Sequence, residues 1–466
     1  MKLHFLGANR QVTGSRYCLE TGGRELLIDC GLFQERQFQS RNWDPCPIPA
    51  ERVDAMLLTH VHIDHSGLIP KFVREGFTGP IHCTRPTAAL VEIMLRDSAK
   101  IQTEDAEYKR KRHAREGRRG KYPADPLYVD EDVDRCVPLF REVHYNQPQA
   151  IFPNVRAIFH DAGHILGSAM IELEVTENGR TQRLVFSGDI GQWNKPIIQD
   201  PSLLVKADYV VMETTYGDRL HPDAGDVETQ LAEVINATIE RGGNVIIPTF
   251  ALERAQELMY HFARLVRAGR IPNLKVFMDS PMAVDVTAVF ERFREYYDDE
   301  MKALISGPEP PLRFPGLTMV RTADGSKRIN EYREPCVIMA SAGMCNAGRI
   351  KHHLRQHIGN AANTILFVGH QSEGTLGHHI LSGAKFVRIH GQDYRVAAHI
   401  AKVYGLSGHA DRNGLIKWLT HFEPKPKRVF FTHGEEAGAL AFAEHVEKQL
   451  GIDAHVPQYR EAVELT

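Results

Sequence analysis

"THVHIDHSG", residues 59–67, places three histidines and one aspartate within six positions. Alternation along an extended segment puts His60 and His62 on one side of a strand end, and the chain then turns through Asp64 and His65 into a helix start. Nitrogen and oxygen donors without sulfur suit zinc, although manganese and iron also accept them. Core or surface histidines are the alternative, and the HxHxDH spacing disfavours it. The stretch therefore predicts a metal site.

The number of metal ions follows from the crowding of these donors. The adjacent side chains of Asp64 and His65 diverge from those of His60 and His62, so one compact ion does not readily use all four. Two ions that share a bridging oxygen solve the geometry, but they need further donors, including a carboxylate able to bridge. Candidates follow later apolar strands, each flanked by small residues: His164 in "DAGHILGSA", Asp189 in "SGDIG" and His409 in "LSGHADRNG".

Composition places the chain among folded globular proteins. It has 466 residues, 42% of them hydrophobic and 25% charged, and this length predicts two domains. Met1 leads directly into a strand pattern, and no apolar run reaches the roughly 18 residues of a membrane span, so we expect a cytoplasmic protein without membrane contact. Seven cysteines without a CxxC pair predict free thiols. The formal net charge of -3 argues against nucleic-acid binding through global positive charge, and it leaves a local basic path open.

The pattern of predicted strands and helices divides the chain into three segments. Runs such as "KLHFLGA", "RELLIDCG" and "RLVFSGD" predict strands in residues 1–215. Strand and helix then alternate, which predicts right-handed crossovers and a mainly parallel sheet for residues 216–384. Short strands return in residues 385–466. The middle segment is therefore predicted to be a domain inserted into a domain that the two ends build together.

Several motifs in order along the chain resemble a known family. Asp29, "THVHIDH", "GHILGS" and "SGDIG" resemble the metallo-β-lactamase superfamily. The further set "ETTYGDR", "EGTLGHHI" and "LSGHAD" resembles its β-CASP branch of nucleases, which includes the endonuclease subunit of the cleavage and polyadenylation machinery. The resemblance covers nearly the whole chain. It implies an α/β fold in which an αββα sandwich carries an inserted β-CASP domain with a mainly parallel sheet flanked by helices.

The same resemblance implies two zinc ions (Zn2+) per chain and a role for each ligand. The first ion would be held by His60, His62, His164 and Asp189. The second ion would be held by Asp64, His65, Asp189 and His409. Asp189 would then bridge the two. Asp29 matches the acidic first motif of the family, whose residue orients ligands from behind them; its alternative is a turn-forming aspartate.

A dizinc site supplies a hydroxide nucleophile and stabilises phosphoryl charge, but it leaves the departing alkoxide without a proton. A histidine outside the metal shell would serve as general acid. His378 and His379 in "GTLGHHI" compete for this role. The spacing in the family selects His379, with Glu213 orienting it and Asp64 completing the catalytic set, and we expect His378 to be exposed. Without the resemblance, a surface position on a helix is as good an interpretation of either histidine as a catalytic role.

Two stretches suggest contacts with a phosphate backbone. "SAGMCNAGR" offers Ser341, Gly343 and Met344 in a turn after a strand, and "THGE" offers His433 in a similar place. Many relatives have Pro where this chain has Ala342, and a Ser-Ala-Gly turn is often only a turn. The basic segment from Lys109 to Lys121 either steers an anionic backbone or is a solvated face. This segment and "SGPEPPLRFPG" are predicted to be less ordered.

These motifs together predict a zinc-dependent ribonuclease that hydrolyses phosphodiester bonds of single-stranded RNA. The insertion favours a polymer, because a long substrate needs a groove and phosphate contacts. Family members that act on DNA tend to have an apolar residue where this chain has His409, so the resemblance favours RNA over DNA.

Other readings stay open beside this one. They are a hydrolase of a small ester, thioester or lactam, a DNA nuclease, and a scaffold that binds RNA without cutting it, which the full ligand set disfavours. Endonucleolytic and 5'-exonucleolytic cleavage, a homodimer, and RNA-processing partners are also left open. Resembling proteins carry RNA-binding segments before the catalytic unit or a dimerising tail after it, and the sequence is expected to lack both.

Overall fold

The computed structural model describes residues 1–117, 122–222, 225–307 and 310–466. The chain divides into two compact units. Unit 1 comprises Met1–Asn194, Gln199–Leu220 and His409–Thr466, and unit 2 comprises Lys195–Ile198 and His221–Gly408. Unit 1 is thus built from both ends of the chain. Its second border lies at His409, later than the predicted return at residue 385.

The strands and helices are numbered in chain order. The strands are β1 (Lys2–Gly7), β2 (Arg16–Thr21), β3 (Arg24–Ile28), β4 (Ala55–Leu57), β5 (Ile81–Thr84), β6 (Phe140–Val143), β7 (Gln149–Phe152), β8 (Val155–Asp161), β9 (Ala169–Glu177), β10 (Arg180–Phe186), β11 (Tyr209–Glu213), β12 (Val245–Pro248), β13 (Lys275–Met278), β14 (Leu317–Met319), β15 (Cys336–Ala340), β16 (Thr364–Phe367), β17 (Phe386–Ile389), β18 (Gln392–Arg395), β19 (His399–Lys402), β20 (Arg428–Thr432), β21 (Ala454–His455) and β22 (Ala462–Glu464). The helices are α1 (Ile63–Ser66), α2 (Ile69–Arg74), α3 (Arg85–Glu116), α4 (Asp130–Cys136), α5 (Val227–Glu240), α6 (Arg254–Arg267), α7 (Pro281–Arg292), α8 (Asp299–Ile305), α9 (Ala323–Ile329), α10 (Ile350–His357), α11 (Leu376–Leu381), α12 (Arg412–Leu419) and α13 (Glu436–Leu450).

Unit 1 is a sandwich of two sheets, each of seven strands in the described residues. The strand orders are β22-β1-β2-β3-β4-β5-β6 and β21-β20-β11-β10-β9-β8-β7. Alternation along the strands turns apolar side chains such as Leu3, Phe5 and Phe159 into a shared core between the sheets. The outer face of the second sheet is covered by α12 and α13, where Trp418 is fully buried. Each large side chain buried in this way contributes roughly 1.5–3 kcal/mol to folding.

Parallel pairing in unit 1 brings distant parts of the chain to one edge. In the first sheet β3, β4 and β5 run parallel, and in the second sheet β10, β11 and β20 do so. The carboxyl ends of parallel strands meet at the same edge of a sheet, so the loops that leave these strands lie side by side. These loops carry the donors predicted from the sequence.

Unit 2 contains a wholly parallel sheet of six strands in its described part, with the order β14-β13-β15-β12-β16-β19. Helices connect the strands, and a core around Ile246, Leu354 and Phe367 forms beneath α10. The predicted mainly parallel inserted domain is therefore confirmed. The β17-β18 hairpin and β19 also lie in unit 2, because β19 pairs with β16. Their short strands look in sequence like those of unit 1, and the border predicted at residue 385 stays a prediction.

The basic segment is more regular than predicted. Helix α3 runs for 32 residues and ends at Glu116, so Lys109 and the seven residues after it are helical rather than loosely ordered. Residues 118–121 of this segment, and residues 308 and 309 of the proline-rich stretch, lie outside the described residues. Within the described ranges, no helix combines the length and the apolar character needed to cross a membrane.

Candidate metal centre

The candidate metal centre lies in unit 1, at the edge where the parallel strands end. His60 and His62 follow β4 and lead into the short helix α1, which carries Asp64 and His65. Asp189 comes after β10 and His433 comes directly after β20. The strand-end rule read from the sequence therefore holds, and these side chains meet because their strands are neighbours.

Glycines let the backbone close in around this edge. A Cβ on Gly31 would lie 1.7 Å from the carbonyl oxygen of Asp64, and one on Gly191 would lie 1.7 Å from the carbonyl oxygen of Gly163. Any larger residue would push these loops apart. The small residues that flank the donors in the sequence are thus needed for the close packing of the loops that present them.

The first donor group consists of His60, His62, His164 and Asp189. Nε2 of His60 lies 3.3 Å from Oδ2 of Asp189, and Nε2 of His164 lies 3.5 Å from the same oxygen. Nδ1 of His62 is 3.2 Å from Nε2 of both other histidines. The structure brings together the whole set that was predicted for one ion.

The second donor group differs from the prediction in one member. Asp64 and His65 are joined by His433, not by His409. Nε2 of His433 lies 3.3 Å from Oδ2 of Asp64 and 3.6 Å from Oδ1 of Asp189. The prediction of His433 as a phosphate contact therefore disagrees with the geometry. The sequence held the signal, because "THGE" follows an apolar strand just as "THVH" does.

Asp189 faces both donor groups with different oxygens. Its Oδ2 points to His60 and His164 of the first group. Its Oδ1 lies 3.2 Å from Nε2 of His65, is buried, and has no hydrogen-bond partner in the described residues. A carboxylate arranged in this way can bridge two cations, and a bound cation would satisfy the buried oxygen that has no hydrogen-bond partner.

The spacing of the donor atoms fits zinc. Ligands of one tetrahedral zinc lie about 2.0–2.2 Å from the ion and therefore about 3.4 Å from each other. Four of the six donor separations in the first group lie between 3.2 and 3.5 Å, and all lie within 4.8 Å. Imidazole and carboxylate donors without thiolate agree with the same ion, and manganese or iron would also accept them.

The histidines of the two donor groups differ in the direction of their pKa shifts. Burial, reinforced by the neighbouring histidines, lowers the pKa of His62 to about 3 and holds the pKa of His60 and His164 below the usual value. Burial also acts against protonation of His65 and His433, but the carboxylates around them raise the pKa of both. The first group thus presents neutral imidazoles that are ready to bind a cation.

Asp29 stands behind the second group, as expected. Its Oδ2 accepts from Nδ1 of His65 at 2.7 Å, and its Oδ1 accepts from the backbone N–H of Thr59 at 2.8 Å. The bond to Nδ1 leaves Nε2 of His65 free to face Asp189. Such a contact fixes both the tautomer and the ring orientation of a metal ligand.

His409 forms a pair with Glu213 beside the donors. Nδ1 of His409 lies 3.0 Å from Oε1 of Glu213, and the same carboxylate accepts from the backbone N–H groups of Ile190 and Thr215. Nε2 of His409 is 3.9 Å from Oδ2 of Asp189, farther from this carboxylate than the ring nitrogens of His60, His65, His164 and His433. The histidine that contacts Glu213 in the structure is therefore His409, whereas the sequence prediction paired Glu213 with His379.

The His409 ring is held ready to carry a proton. Burial acts to lower its pKa, but the negative charges of Glu213 and Asp189 outweigh burial and raise the pKa to about 9. An imidazole with such a pKa is protonated at neutral pH and can donate to a departing oxygen.

The remaining predicted residues lie in unit 2. In α11, His379 is exposed and His378 is partly buried, with Nε2 of His378 lying 3.5 Å from Oγ of Ser382, so the expectation that His378 is the exposed one is wrong. Ser341 follows β15, and its buried Oγ has no hydrogen-bond partner in the described residues.

Backbone carbonyls hold the turn after Ser341 in place. The carbonyl oxygen of Gly343 accepts from the Gln371 side chain at 2.9 Å, and that of Met344 accepts from the backbone N–H of Gly377 at 3.1 Å. The turn is fixed at both residues, and Ser341 Oγ keeps its hydrogen-bonding capacity for another group.

Family models cover most of the chain. A Metallo-beta-lactamase superfamily domain matches residues 18–206, a Beta-Casp domain matches residues 255–380, and a Zn-dependent metallo-hydrolase RNA specificity domain matches residues 393–457. A crystal structure of a protein of unknown function from Enterococcus faecalis V583 superposes with a TM-score of 0.56 at 11% identity, covers 100% of this chain and 99% of that chain, and supports the fold alone.

Alignments with two named proteins extend over nearly all of the sequence. The chain is 37% identical over 441 residues to Ribonuclease TTHA0252 of Thermus thermophilus, and the match spans 95% of each protein. It is 31% identical over 472 residues to Transcription termination factor FttA of Methanosarcina mazei, a match that spans 99% of this chain and 71% of that protein. Fold and donor set together define a metal-dependent hydrolase of the metallo-β-lactamase type. Within this class, the chain belongs to the β-CASP family of hydrolytic nucleases.

Proposed function

We propose that the chain is a ribonuclease with two zinc ions that hydrolyses phosphodiester bonds of single-stranded RNA. The observation that carries the proposal is Asp189, whose two oxygens face two separate donor groups while the protonated His409 stands beside them. Zinc at these two places would supply hydroxide near neutral pH and would neutralise charge on the phosphoryl oxygens. Proton transfer to the leaving oxygen would fall to the side chains beside the metal ions.

His409 is proposed as the general acid, with Glu213 as its positioning residue. Glu213 holds Nδ1 of the ring at 3.0 Å, so the other nitrogen, Nε2, faces the donors and carries the transferable proton. The proton passes to the oxygen that leaves the phosphorus, because an alkoxide without a proton is a poor leaving group. His433 takes the place in the second donor group that the sequence prediction gave to His409.

Three observations support RNA as the substrate. A model described as an RNA specificity domain matches residues 393–457. The relative of similar length is named a ribonuclease. Ser341 in unit 2 has a buried hydroxyl without a hydrogen-bond partner in the described residues, and a hydroxyl can donate to a phosphate oxygen. We propose that Ser341, Gly343 and Met344 contact the phosphate backbone of the RNA.

The mode of cleavage and the protein partners of the chain remain predictions. Both endonucleolytic and 5'-exonucleolytic cleavage are compatible with it. Association with a second copy or with other RNA-processing proteins, and action in the cytoplasm, also stay predictions.

Each of the seven cysteines is a free thiol, in line with the sequence prediction.

One assay separates the proposed function from its alternatives. The zinc-loaded protein and its Asp64→Ala variant are incubated with 5'-labelled single-stranded RNA, with single-stranded DNA, and with a thioester and a lactam. We expect the wild type to cut RNA and the variant to lose that activity. Cleavage of the thioester or lactam with both nucleic acids left intact would overturn the proposal, and cleavage of DNA alone would replace RNA as the substrate.

A further inference from the structure

The far end of α3 concentrates positive charge that the proposed reaction leaves unused. Residues 109–115, called the basic end here, contain five Lys or Arg and no carboxylate, in a chain whose formal net charge is -3. Ala106 is the last buried residue of the helix. The Lys and Arg side chains of the basic end are therefore exposed on the helix surface, while His113 among them is half-buried.

Most of this charge is not neutralised within the protein. Among the described residues, Lys109, Lys111 and Arg112 take part in no ion pair. The other two cations have acidic neighbours: Arg110 with Asp125 at 3.4 Å, and Arg115 with Glu116 at 3.9 Å. Tyr108 lies next to the basic end with its side chain 65% exposed. Exposed cations next to an exposed aromatic ring suit a nucleic-acid strand, since phosphates contact the cations and a base stacks on the ring.

The other end of the same helix is tied to the metal centre. Thr84 caps α3, and the hydroxyls of Thr84 and Thr87 donate to the carbonyl oxygen of Gly167 at 2.6 and 2.9 Å. Gly167 belongs to the loop that presents His164. A helix rises about 1.5 Å per residue, so Lys111 lies about 40 Å along α3 from this anchor. The basic end is thus remote from the donors but joined to their loop by one continuous helix.

We propose that the basic end and Tyr108 form a second binding surface for single-stranded RNA, which only a long substrate reaches. The proposal rests on the proposed function, because the RNA that binds here is the strand being cut. A stacked strand covers about 3.4 Å per nucleotide, so about twelve nucleotides span the length of α3 between its anchor and Lys111. An extended strand would need fewer. A fragment of about four nucleotides occupies the metal centre alone.

The test compares two double variants that change charge equally. Lys111→Glu with Arg112→Glu reverses two charges at the basic end, and Lys206→Glu with Arg180→Glu reverses two exposed charges elsewhere in unit 1. Binding of labelled RNA of about four and about twenty-five nucleotides is measured by fluorescence anisotropy over a range of salt concentrations, in an Asp64→Asn background that keeps the RNA intact. Cleavage of both RNAs is measured separately with Asp64 in place.

We expect the basic-end variant to raise the Kd of the long RNA roughly tenfold and to flatten its salt dependence by about 0.7 per lost phosphate contact. Its Kd for the short RNA and its kcat for both should stay at the wild-type value. Equal weakening of both lengths, an equal effect in the control variant, or no effect at all would each overturn the proposal. If the wild type binds the long RNA in this way but cuts neither RNA, the proposed function fails while the binding surface stands.

Discussion

Asp189 faces both donor groups, yet the histidines of the two groups differ in the direction of their pKa shifts. In the first group, burial among other imidazoles lowers the pKa of His62 to about 3. In the second group, His65 lies between the carboxylates of Asp29 and Asp189, and its pKa is raised well above the usual value even though it is buried. The first site is thus a cluster of neutral imidazoles, while the second is rich in carboxylates. A cation entering the second site must displace protons that the first site never holds.

Removing the shared ligand should have the largest effect. In Asp189→Asn, both donor groups lose their common carboxylate, so we expect RNA cleavage to fall by about three orders of magnitude or more and zinc content to fall below two per chain. Zinc is measured by mass spectrometry and cleavage with labelled RNA. Asp132→Asn, which changes a buried carboxylate outside both groups, should keep its zinc. Full zinc content in Asp189→Asn would contradict the bridging arrangement.

Two histidines separate metal binding from proton transfer. His433→Ala should lower zinc content from about two to about one ion per chain, because His433 belongs to the second group. His409→Ala should keep both ions while kcat falls by about a hundredfold to ten-thousandfold. The His379→Ala variant serves as the comparison for the role first predicted for that residue. If His379→Ala lost the rate and His409→Ala kept it, the assignment of the general acid would be reversed.

Acidification should empty the second site before the first. The raised pKa of His65 and His433 means that protons compete with the metal there up to a higher pH than they do at the lowered pKa of His62. Between about pH 8 and pH 6 we expect the weaker zinc affinity to fall about tenfold to a hundredfold per pH unit, for one or two released protons, while the tighter one changes little. Titration followed by calorimetry measures both affinities. Parallel loss of the two ions would show that the groups do not differ in this way.

The smallest expected effect is a shift of the alkaline limb of the pH profile. Glu213 raises the pKa of His409 to about 9, and a proton donor is lost as the pH rises through its pKa. Replacing the charge in Glu213→Gln should lower that pKa and move the alkaline limb of kcat/KM to lower pH by roughly one unit. The measurement is a pH–rate profile with the His409→Ala variant beside it, in which this limb should be absent. An unmoved limb in Glu213→Gln would remove His409 from the proton transfer.

Much of the fold and of the first site was predictable because both depend on local patterns. The period-two pattern predicted strands in the first segment and the later strand–helix alternation predicted the parallel sheet, while the family resemblance implied the sandwich. The HxHxDH spacing placed four donors without any knowledge of the rest of the chain. The predicted border at residue 385 stays a prediction, and the division into compact units at His409 has a non-local cause: β19 has the length of a unit 1 strand, and only its pairing with β16 assigns it to unit 2.

The sequence by itself predicted that a crowded cluster of histidines and aspartates binds metal, and its family resemblance implied that Asp189 lies between two ions. It did not decide between His409 and His433, since each follows a turn of small residues late in the chain. The tertiary structure decided it. Parallel pairing of β11 with β20 brings His433 to Asp64, while the bridge between Gly191 and His409 turns the His409 ring towards Glu213. The direction in which a side chain points depends on strand register across the sheet, and register joins residues about two hundred positions apart that no local spacing connects.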